Sequence, residues 1–232
     1  DTLYRHIETV LAKGRLPHPE PSTPAERLLV DPYESGERYG ALRAFVADPD
    51  VPNLLGLLKA SELRGLGGAG FPTGAKWEIV RSAAADGKYV VCNADESEPG
   101  TIKDRFLMEQ VPHLLIEGVI LAGLVIGAHT GIIYIRHEYD AQAEVLRREL
   151  ARCQQEGLIG PSVLGSGIPF DLSLFISPGG YICGEESALL EVLQGNRAEP
   201  RNKPPFPGTH GLWNKPTIIN NVETFVMIPQ IL

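Results

Sequence analysis

The chain is constrained most by three short apolar runs, each set between helical patterns. Lys88 to Cys92 (KYVVC) leads into a polar turn, and Gly131 to Arg136 (GIIYIR) follows a long apolar stretch. Phe170 to Ser177 alternates apolar and polar residues before a glycine pair. Runs of this length bounded by turn formers predict strands. Between them, the spacing predicts helices over His113 to Ala128 and over Glu138 to Glu156, the second ended by Gly157. A further helix is predicted over Glu185 to Gln194, closed by Gly195. Strands alternating with helices give βαβ units, so the fold class is α/β: a layered fold with a mainly parallel sheet flanked by helices. In such sheets ligands bind beyond the carboxyl ends of the strands.

Upstream, residues 1–53 read as an N-terminal arm, helical in parts and extended in others. Thr2 to Lys13 has helical spacing, and Leu16 to Pro32 holds five prolines and reads as an extended arm. Arg38 to Ala47, Leu54 to Leu63 and Lys76 to Ala85 are predicted helices. Residues 54–232 read as the ligand-binding domain. The chain begins at Asp1 and ends in an apolar run at Leu232, which suggests a piece of a longer protein.

Composition narrows the function. A net charge of −8 gives no basic footprint for nucleic acid or an anionic membrane, though a local basic pocket remains open. The 43% hydrophobic share is not that of a disordered chain. Cys92, Cys153 and Cys183 form no C-x-x-C, so no zinc or iron–sulfur ligand set of the chain's own is expected. So few cysteines point to a reducing compartment. The six histidines show no metal spacing, and no G-x-S-x-G elbow occurs. Leu114 to Ala128 contains Glu117 and is too short to span a bilayer.

Five segments can carry chemistry. The first runs from Arg64 to Trp77 (RGLGGAGFPTGAKW), with five glycines between Gly65 and Gly74. Gly65, Gly67 and Gly70 satisfy G-x-G-x-x-G, but a helix and not a strand precedes them, which argues against the ordinary dinucleotide fingerprint. The loop still lets backbone amides at Gly65, Gly67 and Gly68 approach a ligand, with Lys76 adding a point charge. The alternative is a tight turn and a surface lysine. The second is Asn93 to Gly100, whose Asp95, Glu96 and Glu98 stand at a strand's carboxyl end. There they would accept hydrogen bonds from ribose or ribityl hydroxyls and repel a 2′-phosphate, unless they form only a solvated acidic turn.

The third is Gly179 to Leu190, where a glycine turn admits a planar ligand, while Glu185 and Glu186 also suit a helix N-terminus on electrostatic grounds alone. Cys183 reads as a small buried apolar residue. The fourth is Lys203 to Gly208 (KPPFPG). Its prolines would fix Lys203 for a phosphate and Phe206 for stacking, unless Phe206 plugs the core. The fifth is Asn220 to Thr224, which reads as a helix start with Asn220-x-x-Glu223 as a capping box, and whose backbone N–H groups can also receive a phosphate.

In this order the segments resemble one known family. The strings RGLGGAGFPTGAKW, VVCNADESEPGTIKDR, PHLLIEGVILAG, YIRHEY, YICGEESALLEVLQGNR, KPPFP and GLWNKPTIINNVETF are similar to the NADH-binding flavoprotein subunit of respiratory complex I. The relatives of that subunit in NAD-linked formate dehydrogenases and hydrogenases share the pattern. The resemblance runs from Leu63 to about Pro229. It implies a Rossmann-like domain that holds FMN and receives hydride from NADH, with electrons passing to iron–sulfur partners.

By motif, it assigns Gly65, Gly67, Gly68, Lys76, Asn93, Asp95, Tyr181, Gly184, Asn220 and Asn221 to FMN. Phe71, Glu98, Glu186, Lys203 and Phe206 are assigned to NADH. Glu96 and Glu185 take the catalytic positions, as carboxylates that orient ribose and nicotinamide rather than as general acids. No metal site is implied within the chain; the family's 4Fe-4S cluster is expected only downstream. The resemblance also implies a cytoplasmic module, peripheral on the inner face of a membrane as part of a complex.

Three residues depart from the pattern. Leu66 stands where Arg is common, His137 where Gly is common, and Ile79 where an aromatic is common. They motivate a rival reading, a flavin-binding scaffold with no catalysis or with another donor.

Overall fold

The computed structural model describes residues 31–33 and 36–232, and Asp31 to Leu232 form one compact unit. The helix expected over Thr2 to Lys13 and nearly all of the extended arm lie outside the described residues. The unit opens with helices α1 (Gly40–Ala47), α2 (Val51–Ala60) and α3 (Thr73–Ser82). Strand β1 (Tyr89–Ala94) follows, then α4 (Lys103–Gln110), α5 (Pro112–Ile126), β2 (Thr130–Ile135) and α6 (Asp140–Gln155). The chain closes with β3 (Asp171–Ile176), α7 (Glu186–Leu193), the short α8 (Pro207–His210), β4 (Thr217–Asn221) and α9 (Val222–Ile231).

All strand pairings are parallel, in the order β3-β2-β1-β4. Central β1 is buried along most of its length, which explains its near-continuous apolar sequence. Its Val91 joins Ile132, Tyr134 and Ile219 in a cluster with Leu189 and Leu190 of α7 on one face of the sheet. Alternate residues Val90, Cys92 and Ala94 point to the other face, where α5 and α9 pack. Edge strand β3 alternates buried and exposed positions only loosely.

Every residue of α5 is buried. Proline starts the helix and Gly127 (φ 76°) ends it in the left-handed region. Gly118 lets α9 approach: a Cβ there would stand 2.2 Å from the carbonyl oxygen of Phe225. No single helix among the described residues is long and apolar enough to cross a membrane.

Three elements escape the sequence reading: α4, the short α8 and β4. The expected helix start at Asn220 is corrected by one residue. Asn220 belongs to β4, and Asn221 is the N-cap of α9, its side chain accepting from the Glu223 N–H at 3.0 Å. Elsewhere among the described residues the predicted helices and strands are found with ends shifted by a few residues, as at Val51–Ala60 and Thr73–Ser82.

Two polar residues one turn apart interrupt α5. His113 and Glu117 are fully buried. The Tyr33 hydroxyl (3.1 Å) and the Leu42 N–H (2.8 Å) donate to Glu117 Oε1, and His113 Nε2 lies 3.1 Å from the Asp31 carboxylate. They fasten Asp31, Tyr33 and Leu42 to the core helix.

Burial pushes the Glu117 carboxyl up to about 7, against the hydrogen bonds from Leu42 and Tyr33. Burial also lowers His113. A raised carboxyl gives its full stabilising contribution below the unfolded value near 4.5 and loses it as pH climbs through about 7. The loss amounts to about 3 kcal/mol. Glu117→Gln keeps the Oε1 acceptor without the charge. It is therefore expected to be more stable than the parent at pH 8 by roughly that amount, with the gap closing towards pH 4. Urea unfolding across this range measures it, and a gap independent of pH would contradict the assignment.

Candidate functional site

The carboxyl ends of β1 and β4 lie side by side, with Cys92 opposite Asn220 and Asn93 opposite Asn221. Parallel pairing thus gathers three amide side chains where α/β sheets bind ligands. Asn93 donates to the Gly184 carbonyl at 2.8 Å, tying β1 to the turn Tyr181–Gly184. Asn220 is 3% exposed, and its Oδ1 accepts from the Trp77 indole N–H at 3.3 Å. Its Nδ2 is buried and has no partner among the described residues. An unpaired buried amide N–H costs about 1–3 kcal/mol, so this group is one for which an acceptor is missing.

The glycine loop stands against this corner. The Gly65 N–H donates to the Phe71 carbonyl (2.9 Å), and the Leu66 N–H donates to Thr224 Oγ1 of α9 (3.0 Å). A Cβ at Gly67 would stand 3.1 Å from the Cβ of Asn221. Helix α2 precedes the loop and α3 follows it, which agrees with rejecting the ordinary dinucleotide fingerprint. Lys76 is not a surface lysine: its ammonium donates to the Ile219 carbonyl at 2.9 Å, and burial lowers its pKa. Thr73 Oγ1, at the start of α3, is a second buried atom at this corner without a partner among the described residues.

The acidic loop divides its work. Asp95 accepts from Ser97 and, at 3.4 Å, from Ser177, and burial raises its carboxyl. Glu96 is buried, and both its oxygens are engaged. Oε1 accepts from the Asp104 N–H (2.8 Å), and Oε2 accepts from the Arg105 N–H (3.2 Å) and the Tyr139 hydroxyl (2.9 Å). Both oxygens of Glu96, the residue expected to orient a substrate, thus accept from within the chain. It caps α4, whose first N–H groups have no side-chain cap at the helix boundary. Glu98 is exposed and accepts from the Tyr181 hydroxyl, bridging two of the loops.

On the other side of the corner, Glu185 is the N-cap of α7, accepting from the N–H groups of Ser187 and Ala188 at 2.9 Å. Its other oxygen accepts from Lys203 at 2.9 Å, and Lys203 also donates to Glu186 at 2.6 Å. What burial Lys203 has works against its charge, and the two carboxylates outweigh it, so its pKa is raised. Glu185 thus has the electrostatic helix-start role as well as a side facing Lys203. Phe206 is 60% exposed and Phe71 45%, so neither plugs the core, and both offer open aromatic faces. Leu66 and Ile79 are exposed too.

His137, the bulky residue in the β2 exit turn, packs on Gly179. A Cβ at Gly179 (φ 98°) would stand 2.4 Å from its ring. Cys183 is buried, donating its thiol to the Gly179 carbonyl. Motif reading assigns nothing to Lys103, Asp104, Ser177 or Tyr139. Lys103 and Asp104 meet Asn221, Ser177 meets Asp95 and Tyr139 meets Glu96, each far away in sequence, so no local spacing marks these contacts.

A family model described as the Nuo51 FMN-binding domain matches residues 58–230. A subunit of the NADH-quinone oxidoreductase of Rhizobium meliloti is 48% identical over 204 residues, 88% of this chain and 48% of that protein. The HndC component of an NADP-reducing hydrogenase of Solidesulfovibrio fructosivorans is 45% identical over 208 residues, covering 88% and 42% respectively. Among solved structures, a chain of an NAD+-reducing [NiFe]-hydrogenase in the H2-reduced state aligns with a TM-score of 0.77 at 34% identity. That alignment covers 100% of this chain and 40% of the other. The chain spans about half the length of the curated relatives it matches.

The packing of His137 on Gly179 gives a direct check. Gly179→Ala is expected to cost about 2 kcal/mol of stability through clash and positive φ. His137→Gly in the same chain should recover only the clash. Urea midpoints of the two variants measure this, and an unshifted midpoint in Gly179→Ala would contradict the contact.

Proposed function

The chain belongs to the family of Nuo51 FMN-binding domains, and from that premise we propose that its corner holds FMN and that NADH delivers hydride to it there. One observation carries the reading: the Asn220 amide is buried against Trp77, next in the chain to the Ile219 carbonyl that holds Lys76, with an N–H that nothing among the described residues accepts. A flavin mononucleotide fits this donor set, because it offers phosphate and ribityl oxygens, and the open glycines leave room for it against the backbone. Gly65, Gly67, Gly68, Lys76, Asn93, Asp95, Tyr181, Gly184, Asn220 and Asn221 would hold it.

When bound, FMN supplies a two-electron acceptor able to release electrons singly to iron–sulfur partners. The chain's own residues bind and orient. Phe71 and Phe206 present exposed aromatic faces on which a nucleotide stacks. Lys203, held by Glu185 and Glu186, sets a positive charge beside two carboxylates. Glu98 and Glu186 accept from ribose hydroxyls. In this reading Glu96 touches no substrate and acts through α4. Hydride transfer needs distance and stacking and no protein nucleophile, which suits a site without a histidine-based triad. The same reading makes the chain the flavin-bearing portion of a larger redox complex, cytoplasmic and peripheral to a membrane. The names of the relatives support the redox complex.

The acidic rim favours NADH over NADPH through repulsion of a 2′-phosphate. The experiment uses the full chain reconstituted with FMN and freed of unbound flavin. Adding NADH without oxygen is expected to bleach a stoichiometric flavin band, and NADPH to bleach it more slowly. A bound band that stays oxidised would overturn hydride transfer and favour the scaffold reading. Equal rates with both nucleotides would overturn the stated preference.

A further inference from the structure

Asn221 does more than cap a helix. As N-cap of α9 its Oδ1 accepts from the Glu223 N–H at 3.0 Å. The same oxygen accepts from Lys103 Nζ at 2.9 Å, and the amide nitrogen donates to Asp104 Oδ2 at 2.6 Å. Two donors on the oxygen and a carboxylate on the nitrogen fix which way the amide faces, a choice that a capping Asn alone does not require. One N–H of Asn221 is left without an acceptor among the described residues, on a side chain that stands against Gly67 of the open loop.

Asp104 itself is 3% exposed and carries a charge in the fold's interior beside Lys103, which is 3.0 Å from Glu223. Burial raises its carboxyl, and Lys103 and Asn221 pull it back. A buried carboxylate is expensive to retain, more than the helix macrodipole of α4 alone repays. Its placement is also built from a distance. Glu96 caps the Asp104 N–H, and Tyr139 holds Glu96, so the β1 loop, the β2 exit and α4 converge on one amide.

We propose that Asp104 is a positioning residue of the flavin site. It orients the Asn221 amide so that a free N–H, not an oxygen, faces the cofactor beside Gly67. Glu96 acts one step further back by fixing the start of α4. This rests on the flavin reading above and adds residues to which the motifs give no role.

The test measures FMN dissociation constants, by quenching of flavin fluorescence, and thermal midpoints. It compares the full parent chain, Asp104→Asn, and the reciprocal pair Asp104→Asn with Asn221→Asp. Asp104→Asn is expected to weaken FMN binding about tenfold, the scale of one charge-assisted hydrogen bond. The reciprocal pair restores a donor–acceptor contact with its direction reversed. It is expected to recover the thermal midpoint but not the FMN affinity, because position 221 then shows an oxygen. If Asp104→Asn does not fold, Asp104→Glu decides instead: it keeps the carboxylate but displaces it by one methylene, so weakened FMN binding in the folded variant supports the proposal and unchanged binding overturns it. Unchanged affinity in Asp104→Asn, or full recovery of affinity in the pair, overturns the proposal and leaves Asp104 a structural brace. A parent chain that binds no FMN overturns the flavin reading and this one with it, whereas a parent that binds with unaffected variants overturns this one alone.

Discussion

Parallel pairing of β1 with β4 is the constraint on which the site depends. It aligns Cys92 with Asn220 and Asn93 with Asn221, so three amides collect at one end of the sheet. Each amide then has a separate job. Asn93 ties down the turn at Gly184, Asn221 starts α9, and Asn220 keeps an unused donor in the interior. The close packing of α9 on α5 at Gly118 holds the turn after β4 against the rest of the domain. A change in that register would scatter the amides and detach the glycine loop from Thr224.

Acidic residues around this corner act mostly on the protein. Glu96 caps α4, Glu185 caps α7, and Asp104 braces Asn221. Carboxylates at helix N-termini satisfy N–H groups and complement the macrodipole, so a chain of net charge −8 can gather acids here without leaving each one unpaired. Lys203 and Lys103 supply the opposing charges. The resulting surface is polar and flanked by exposed Phe71 and Phe206.

Much of the fold is legible in the sequence because parallel strands buried on both faces read as short apolar runs. Val90 to Cys92 and Ile132 to Ile135 are of this kind. Strand β4 is not legible, because its apolar part is only Ile218 and Ile219, followed by two asparagines that look like a helix cap. Helix α4 is hidden for a different reason. Its cap comes from Glu96, which no helix-start rule places eight residues away from Asp104. The glycine loop and the Asn220–Asn221 pair are visible as motifs. The division of labour among the acids is not, since Glu96–Tyr139 and Asn221–Asp104 are contacts between distant segments.

The buried Asn220 amide, on this reading, waits for an oxygen of FMN. Side-chain amide NMR resonances of Asn220, recorded on the isotope-labelled chain as FMN is added, test it most directly. A saturable shift of the Asn220 resonances with slowed hydrogen exchange is expected, at the same FMN concentration that quenches flavin fluorescence. Fluorescence quenching with unmoved Asn220 resonances would contradict it, because the flavin would then occupy a surface other than this corner.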